Sequence, residues 1–295
     1  MSDGLRAKAT AGLQRLVDAS TLERLGLSVA ALFAALLVGA GLLMASGYNP
    51  IVVYYWLFYG AIGSSFNVAL TLQQMTLLLL TGLAVAVSFR AGLFNIGTQG
   101  QLVLGALATA LTVLAVAPVV PGGLVGTLVL VPLGLLAGAV VGGAYGAIPG
   151  ALKAYADANE VITTIMLNFI ATGVAFYLVN NYYRVSSTVA TENVPEYAKL
   201  QPIAFHPSSS FSMLVFLGGL GLAGGVYHLF RNTAFGYELR TSGLQPAAAS
   251  YAGVDAERMT VASMTLSGAI GGLAGAVFVL MVEGRYIAPP SLGFD

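Results

Sequence analysis

The chain has 295 residues, 57% of them hydrophobic and only 8% charged, with 12 Lys and Arg balanced by 12 Asp and Glu. An ordinary soluble domain carries about 25% charged residues, so a soluble fold is excluded. Zero net charge without a basic stripe leaves no case for nucleic acid, and the absence of cysteine removes disulfides, thiolate metal sites and a thiol nucleophile.

The charges are clumped, with none between residues 25 and 89 and none between 91 and 152. Both windows far exceed the ~20 apolar residues of one bilayer crossing. Lipid tolerates only internally satisfied backbone, so the spans are helical. The expected fold is an all-α polytopic membrane protein of 7–8 transmembrane helices with glycine-rich packing. A basic segment, 1–26, precedes a single transmembrane domain, 27–295. The apolar run after it is too long for a signal-peptide core and reads as a retained first span.

In chain order the expected spans are 27–46, 71–89, 102–120, 123–149, 161–181, 211–230 and 260–282. Residues 50–67 are aromatic-rich and polar at their end, and read as an interfacial or re-entrant piece. An internal N-terminus puts Arg6, Lys8, Arg15, Arg24, Arg90, Lys153, Arg231, Arg240 and Arg258 in the cytoplasm. Arg184, Lys199 and Arg285 then face out, as the positive-inside rule requires. The fourth span repeats glycine every four residues, at Gly134, Gly138, Gly142, Gly146 and Gly150, giving one flat stripe for close helix packing. The last span does the same with Ser267, Gly271 and Gly275.

No chemistry-bearing motif survives inspection. The GxGxxG at 219–224 lies inside an apolar span with no preceding strand, and there is no P-loop, HExxH or GxSxG. His206 and His228 are isolated.

Three polar constellations interrupt the hydrocarbon. Residues 90–101, "RAGLFNIGTQGQ", combine Asn95, Gln99 and Gln101 with Gly92, Gly97 and Gly100. They read either as a plain loop or as a broken or re-entrant helix that builds a mid-membrane site. Glu160, Thr164 and Asn168 stand four apart and form a polar stripe at the start of the fifth span. That stripe serves either helix capping and interhelical bonding or a translocation path. Between Pro246, suited to a first helical position, and the terminating Gly253 lies a short alanine-rich helix, with Asp255 placed to cap the next one. Too short to be stable alone, it must dock on this chain or on a partner.

Together these stretches resemble the permease subunits of ATP-binding-cassette importers, in the branch of simple-sugar and nucleoside permeases related to those for branched-chain amino acids. The resemblance runs from about Thr76 to Asp295. "GLFNIGTQGQ" is similar to that family's hallmark after its early spans, and "NEVITTIMLNFIA" to a segment of nucleoside-type members. "FGYELRTSGLQPAAASYAGVDAERM" resembles the loop that contacts the ATPase, and "LSGAIGGLAGA" follows it.

The resemblance implies a pore-forming subunit in the plasma membrane, paired with itself or a homologous permease. Its partners would be two cytoplasmic ATP-binding subunits, which use ATP and magnesium, and an external substrate-binding protein or lipoprotein. This chain itself would hold no cofactor and no ATPase site. Phe94, Asn95, Gly97, Gln99, Gly100 and Gln101, with the stripe Glu160, Thr164 and Asn168, would border the pathway. Gly236, Arg240, Gly243, Pro246, Ala248, Ala249 and Gly253 would form the ATPase-coupling loop within 231–259, and 182–210 would be an external loop.

Two departures stand out. Gln99 occupies a position where the motif usually carries glutamate, and the chain stops at "PPSLGFD", where family members continue into further hydrophobic segments. The expectation is therefore a chain truncated at its C-terminus. The residues alone leave two alternatives: an ion-coupled secondary transporter, which would want buried carboxylates in its spans, and a non-transporting membrane scaffold.

Overall fold

The computed structural model describes residues 20–185, 187–202 and 209–288. Arg6, Lys8 and Arg15 of the basic segment, His206 and the terminal "PPSLGFD" lie outside the described residues. The chain divides into two compact units at Gly63/Ser64, inside the stretch expected to be one domain.

The first unit holds α1 (Thr21–Ala45) and α2 (Pro50–Ile62). Ser20 and Glu23 form a reciprocal capping box at the start of α1, satisfying N–H groups that have no intrahelical partner. At 1.5 Å per residue its 25 residues reach about 38 Å, enough for a bilayer. Helix α2 starts on Asn49, whose side chain accepts from Ile51 N, followed by Pro50 at the first position. Its 13 residues cover only about 20 Å, shorter than a crossing. The Tyr54 hydroxyl donates to Leu36 O at 2.6 Å and holds the pair together.

The second unit contains α3 (Ser65–Arg90), α4 (Thr98–Val116), α5 (Leu124–Ala156), α6 (Glu160–Leu178), α7 (Met213–Asn232), α8 (Ala234–Leu244), α9 (Pro246–Tyr251) and α10 (Ala256–Val277). π-helical turns extend α6 to Tyr183 and α10 to Glu283. Seven helices across the two units are long and apolar enough to cross a membrane. This is an all-α, multi-span membrane protein.

Helix α10 is the axis of the bundle: it is the most buried span and packs on α5, α4 and α3. The five glycines of the α5 stripe all lie on this seam or beside α4. A Cβ on Gly142 would stand 2.5 Å from Gly268 O, and one on Gly146 2.5 Å from Met264 O. The facing glycines on α10 are Gly268 and Gly272, whereas Gly271 and Gly275 point at Gln101, Leu102 and Ala106 of α4. So α10 carries two small-residue faces, one for each neighbour. Thr109 ties the third side of the triangle, its hydroxyl lying 2.9 Å from Gly134 O of α5.

The basic residues sort to two ends. Arg90, Lys153, Arg231, Arg240 and Arg258 sit where α3, α5 and α7 finish and where α8, α9 and the start of α10 lie. Arg184, Lys199 and Arg285 lie in the segments at the opposite end, where Gly284 meets Lys199 and Leu200 N donates to Leu280 O at 2.8 Å.

Candidate functional site

Residues 91–97 form an irregular linker between two complete spans. The chain turns at Gly92, with φ of 71°, a conformation that strains any residue with a Cβ. Leu93 folds back under α8 beside Ala91, Phe230 and Leu239. Asn95 then points inward and is 1% exposed.

Its amide is fully used. Nδ2 donates to Ser267 Oγ of α10 at 2.7 Å and to Gln101 Oε1 at 3.1 Å. Oδ1 accepts from Gly97 N at 2.9 Å and from Gln101 Nε2 at 3.3 Å. Ser267 in turn donates to Ala84 O of α3 at 2.6 Å. One side chain thus ties the ends of α3 and α4 to the middle of α10. An unpaired amide here would cost ~1–3 kcal/mol, so closure of the network fixes this geometry. Gln101, also 1% exposed, is wedged between Gly146 of α5 and Gly271 of α10.

The α6 stripe meets this linker. Asn159 caps α6, accepting from Val161 N and Ile162 N, while Glu160 pairs with Lys153 of α5 at 3.5 Å. Thr164 is buried against Gly97, close enough that a Cβ there would lie 3.1 Å away. Asn168 accepts from Gly100 N at 2.8 Å and donates to Ile96 O at 2.9 Å. Helix α4 lacks a side-chain cap of its own, so its orphan first-turn N–H is capped from α6. Two stretches separated by some 60 residues of sequence therefore form one polar junction. The side chains it leaves on the surface between residues 91 and 101 are those of Phe94, Ile96 and Gln99.

The third stretch touches the same junction. In α8, Gly236 turns back tightly on Leu229 and Phe230, and Gly243 lies directly on the Ala91–Gly92 peptide. Arg240 lines a pocket with Arg90 and Arg231. Pro246 opens α9 and Gly253 ends it with φ of 86°. Asp255 caps α10, accepting from Arg258 N at 3.0 Å. Of α9 only Ala249 is buried; Ala248 and the apolar side chains of Leu244 and Tyr251 are exposed, the last two at 86% and 97%. Those two, overlooked in the sequence, are visible as apolar residues flanking an otherwise small-residue helix.

At the other end a cavity of about 900 Å³ opens among Thr112, the π-turn tyrosines Tyr182 and Tyr183, Arg184, Thr191 and Glu192. Among the described residues no three His, Asp or Glu side chains are placed to hold a metal.

Glycine-packed spans, a polar junction at one helix start and helix α8 seated on that junction, with the short exposed α9 behind it, are the frame of a multi-span membrane protein, and the comparisons identify its class. Residues 67–295 match the family described as branched-chain amino acid transport system / permease component, and the chain belongs to it. It is 35% identical over 253 residues to the nucleoside ABC transporter permease protein NupB of Lactococcus lactis, covering 82% of this chain and 67% of that one. The guanosine ABC transporter permease protein NupP of Bacillus subtilis is 35% identical over 264 residues, 87% and 72% of the two chains. The glucose ABC transporter permease protein TsgB13 of Haloferax volcanii is 32% identical over 284 residues, 91% and 72%. No solved structure matches the chain significantly.

Proposed function

We propose that this chain is the membrane-spanning subunit of an importer that passes nucleosides or related simple sugars, driven by separate ATP-binding subunits that bind ATP and magnesium. The observation that carries the reading is α9. It is six residues long, buries only Ala249 on its own chain and presents Tyr251 outward, beside the exposed Leu244 that ends α8. A helix so short needs a partner, and an ATPase subunit docked there would push on Gly243 and through it on the 91–97 linker.

In this reading the N-terminus is cytoplasmic and the chain sits in the plasma membrane with a second permease. Phe94, Ile96 and Gln99 border the pathway, while Asn95, Gln101, Thr164 and Asn168 hold them. The cavity at Tyr182 and Arg184 receives substrate from an external binding protein. The border left exposed, Phe94, Ile96 and the neutral amide of Gln99, carries no charge and suits an uncharged, hydrogen-bonding cargo, and the nucleoside permeases among the relatives support that class.

The test is uptake of labelled guanosine, cytidine and glucose into proteoliposomes holding the purified complex, with and without internal ATP. ATP-dependent uptake of a nucleoside or sugar is expected. Uptake that ignores ATP and collapses with an ion gradient would instead identify a secondary transporter.

A further inference from the structure

Beneath α8, whose Arg240 the resemblance assigns to the coupling loop, lies a second polar feature. Arg90 ends α3, Arg231 ends the last turn of α7 and Arg240 sits on α8, and all three line one pocket of about 320 Å³. Among the described residues these arginines have no acidic partner: the ion pairs there involve Lys153, Lys199 and Arg258. Arg231 is steadied by Tyr227, donating to its hydroxyl while its guanidinium stands 5.6 Å from the centre of that ring. Arg240 is less well served, because its Nε is buried without a hydrogen-bond partner among the described residues. A buried, unpaired guanidinium donor is costly and calls for an acceptor.

The rest of the pocket is of opposite character. Leu83 and Ala86 of α3 face Ala223 and Val226 of α7, so the slot between the two spans is hydrocarbon. Both helices end here, and their C-terminal dipoles favour the cations gathered at the mouth. The result is an apolar slot with a triple guanidinium lid. Arginine forks match phosphate oxygens in pairs, and basic pockets between spans at a membrane interface suit anionic headgroups.

We propose that this pocket binds one acidic phospholipid, its phosphate held by Arg90, Arg231 and Arg240 and its glycerol and upper acyl carbons seated between α3 and α7. A free phosphate shares the headgroup chemistry but would leave the apolar slot unfilled. Because α8 forms the lid, bound lipid clamps α8 against α3 and α7. The proposal uses only the membrane-spanning fold and is independent of what the protein transports.

The full chain, purified with its accompanying subunits in neutral detergent, is titrated with phosphatidylglycerol, with phosphatidylcholine, and with phosphatidylglycerol against sodium phosphate. Bound lipid is counted by native mass spectrometry. One phosphatidylglycerol per chain, preferred at least about tenfold over phosphatidylcholine, is expected. Arg90→Gln/Arg240→Gln should weaken it about thirtyfold, from two juxtamembrane charges. Ala223→Leu, which fills the slot and keeps every arginine, should weaken it too, and serves if the double variant does not fold. Arg258→Gln, at the same end but outside the pocket, should leave binding unchanged. Equal retention of both lipids, undiminished binding by the pocket variants, or an equal loss in Arg258→Gln would overturn the site. Competition by phosphate at concentrations matching the lipid would overturn the lipid as its occupant.

Discussion

The contact between α8 and the 91–97 linker makes Gly243→Ala a sharp test. A Cβ at position 243 would lie 2.3 Å from Ala91 C, 2.4 Å from Ala91 O and 2.7 Å from Gly92 N. All three are backbone atoms, so no side chain can swing aside. The linker cannot yield easily either, because Gly92 is held at positive φ and its own Cβ position lies 2.6 Å from Gly243 O. Restoring ordinary van der Waals contact requires a separation of about 1 Å in an interior packed as densely as a crystal. Overpacking of this kind costs ~1–3 kcal/mol. Alanine recovers up to ~1 kcal/mol of helix propensity, less here because Gly243 is the penultimate residue of α8. The net is ~1–2 kcal/mol of destabilisation. That is small enough for the protein to fold, with α8 displaced from the linker. In proteoliposomes containing the assembled complex, ATP-driven uptake should fall about tenfold, within the range of ordinary coupling energies, while subunit association persists. Gly173→Ala, where the added methyl meets nothing within 4 Å, is the matched control and should leave uptake unchanged. Parental uptake together with a parental melting temperature in Gly243→Ala would refute the idea that this contact conducts the movement of α9 to the junction.

Asn95→Ala removes four hydrogen bonds from the junction. At the ~0.6 kcal/mol averaged by interhelical bonds in membranes, thermal unfolding should report a loss of ~2 kcal/mol. Combined with Ser267→Ala the two losses should sum to less than additive, and strict additivity would mean that the 2.7 Å bond carries no energy. Gly272→Ala should be far harsher, since its Cβ would fall 2.1 Å from Gly138 O and 2.8 Å from Gly142 Cα. Loss of folded yield in a detergent-resistance assay is expected, and a stable Gly272→Ala would mean that α5 and α10 can separate. Tyr286, just beyond the last span, is 1% exposed and its hydroxyl has no partner among the described residues. Burial pushes that phenol well above its usual value. Unfolded tyrosine loses its proton near pH 10 while the native form keeps it, so this contribution is full below about pH 10 and falls as pH rises beyond it. Tyr286→Phe should blunt alkaline unfolding and cost little at neutral pH, and an unchanged alkaline midpoint would refute the assignment.

What was legible in the sequence is what is decided locally. Pro246, Gly253 and Asp255 punctuate α9 and α10 as their types demand, because caps and turns depend on a few adjacent residues. The seven spans are legible because a bilayer imposes a length and forbids charge. The α5 stripe is legible because five glycines on one period have one geometric meaning. The same logic picked Gly271 and Gly275 on the last span, and there a period of four falls short. Helix α10 also carries Gly268 and Gly272 on the adjoining face, and periodicity cannot say which face meets α5 and which meets α4. Only the three-helix arrangement decides that.

The polar residues of 90–101 show a deeper limit. From composition Asn95, Gln99 and Gln101 are equivalent amides in an apolar setting, equally fit to line a path. In the structure Asn95 and Gln101 turn inward and satisfy each other, while Gln99 stays on the surface. The difference arises because Ser267, more than 170 residues away, supplies an acceptor on one side only. The linker then depends on Asn168 from α6 and Gly243 from α8, contacts spanning some 70 and 150 residues of chain. A junction assembled from five separate helices is stable only when the bundle has formed. Its position beside α8 therefore makes it sensitive to any force applied there: moving α8 strains the linker, and the linker holds the start of α4.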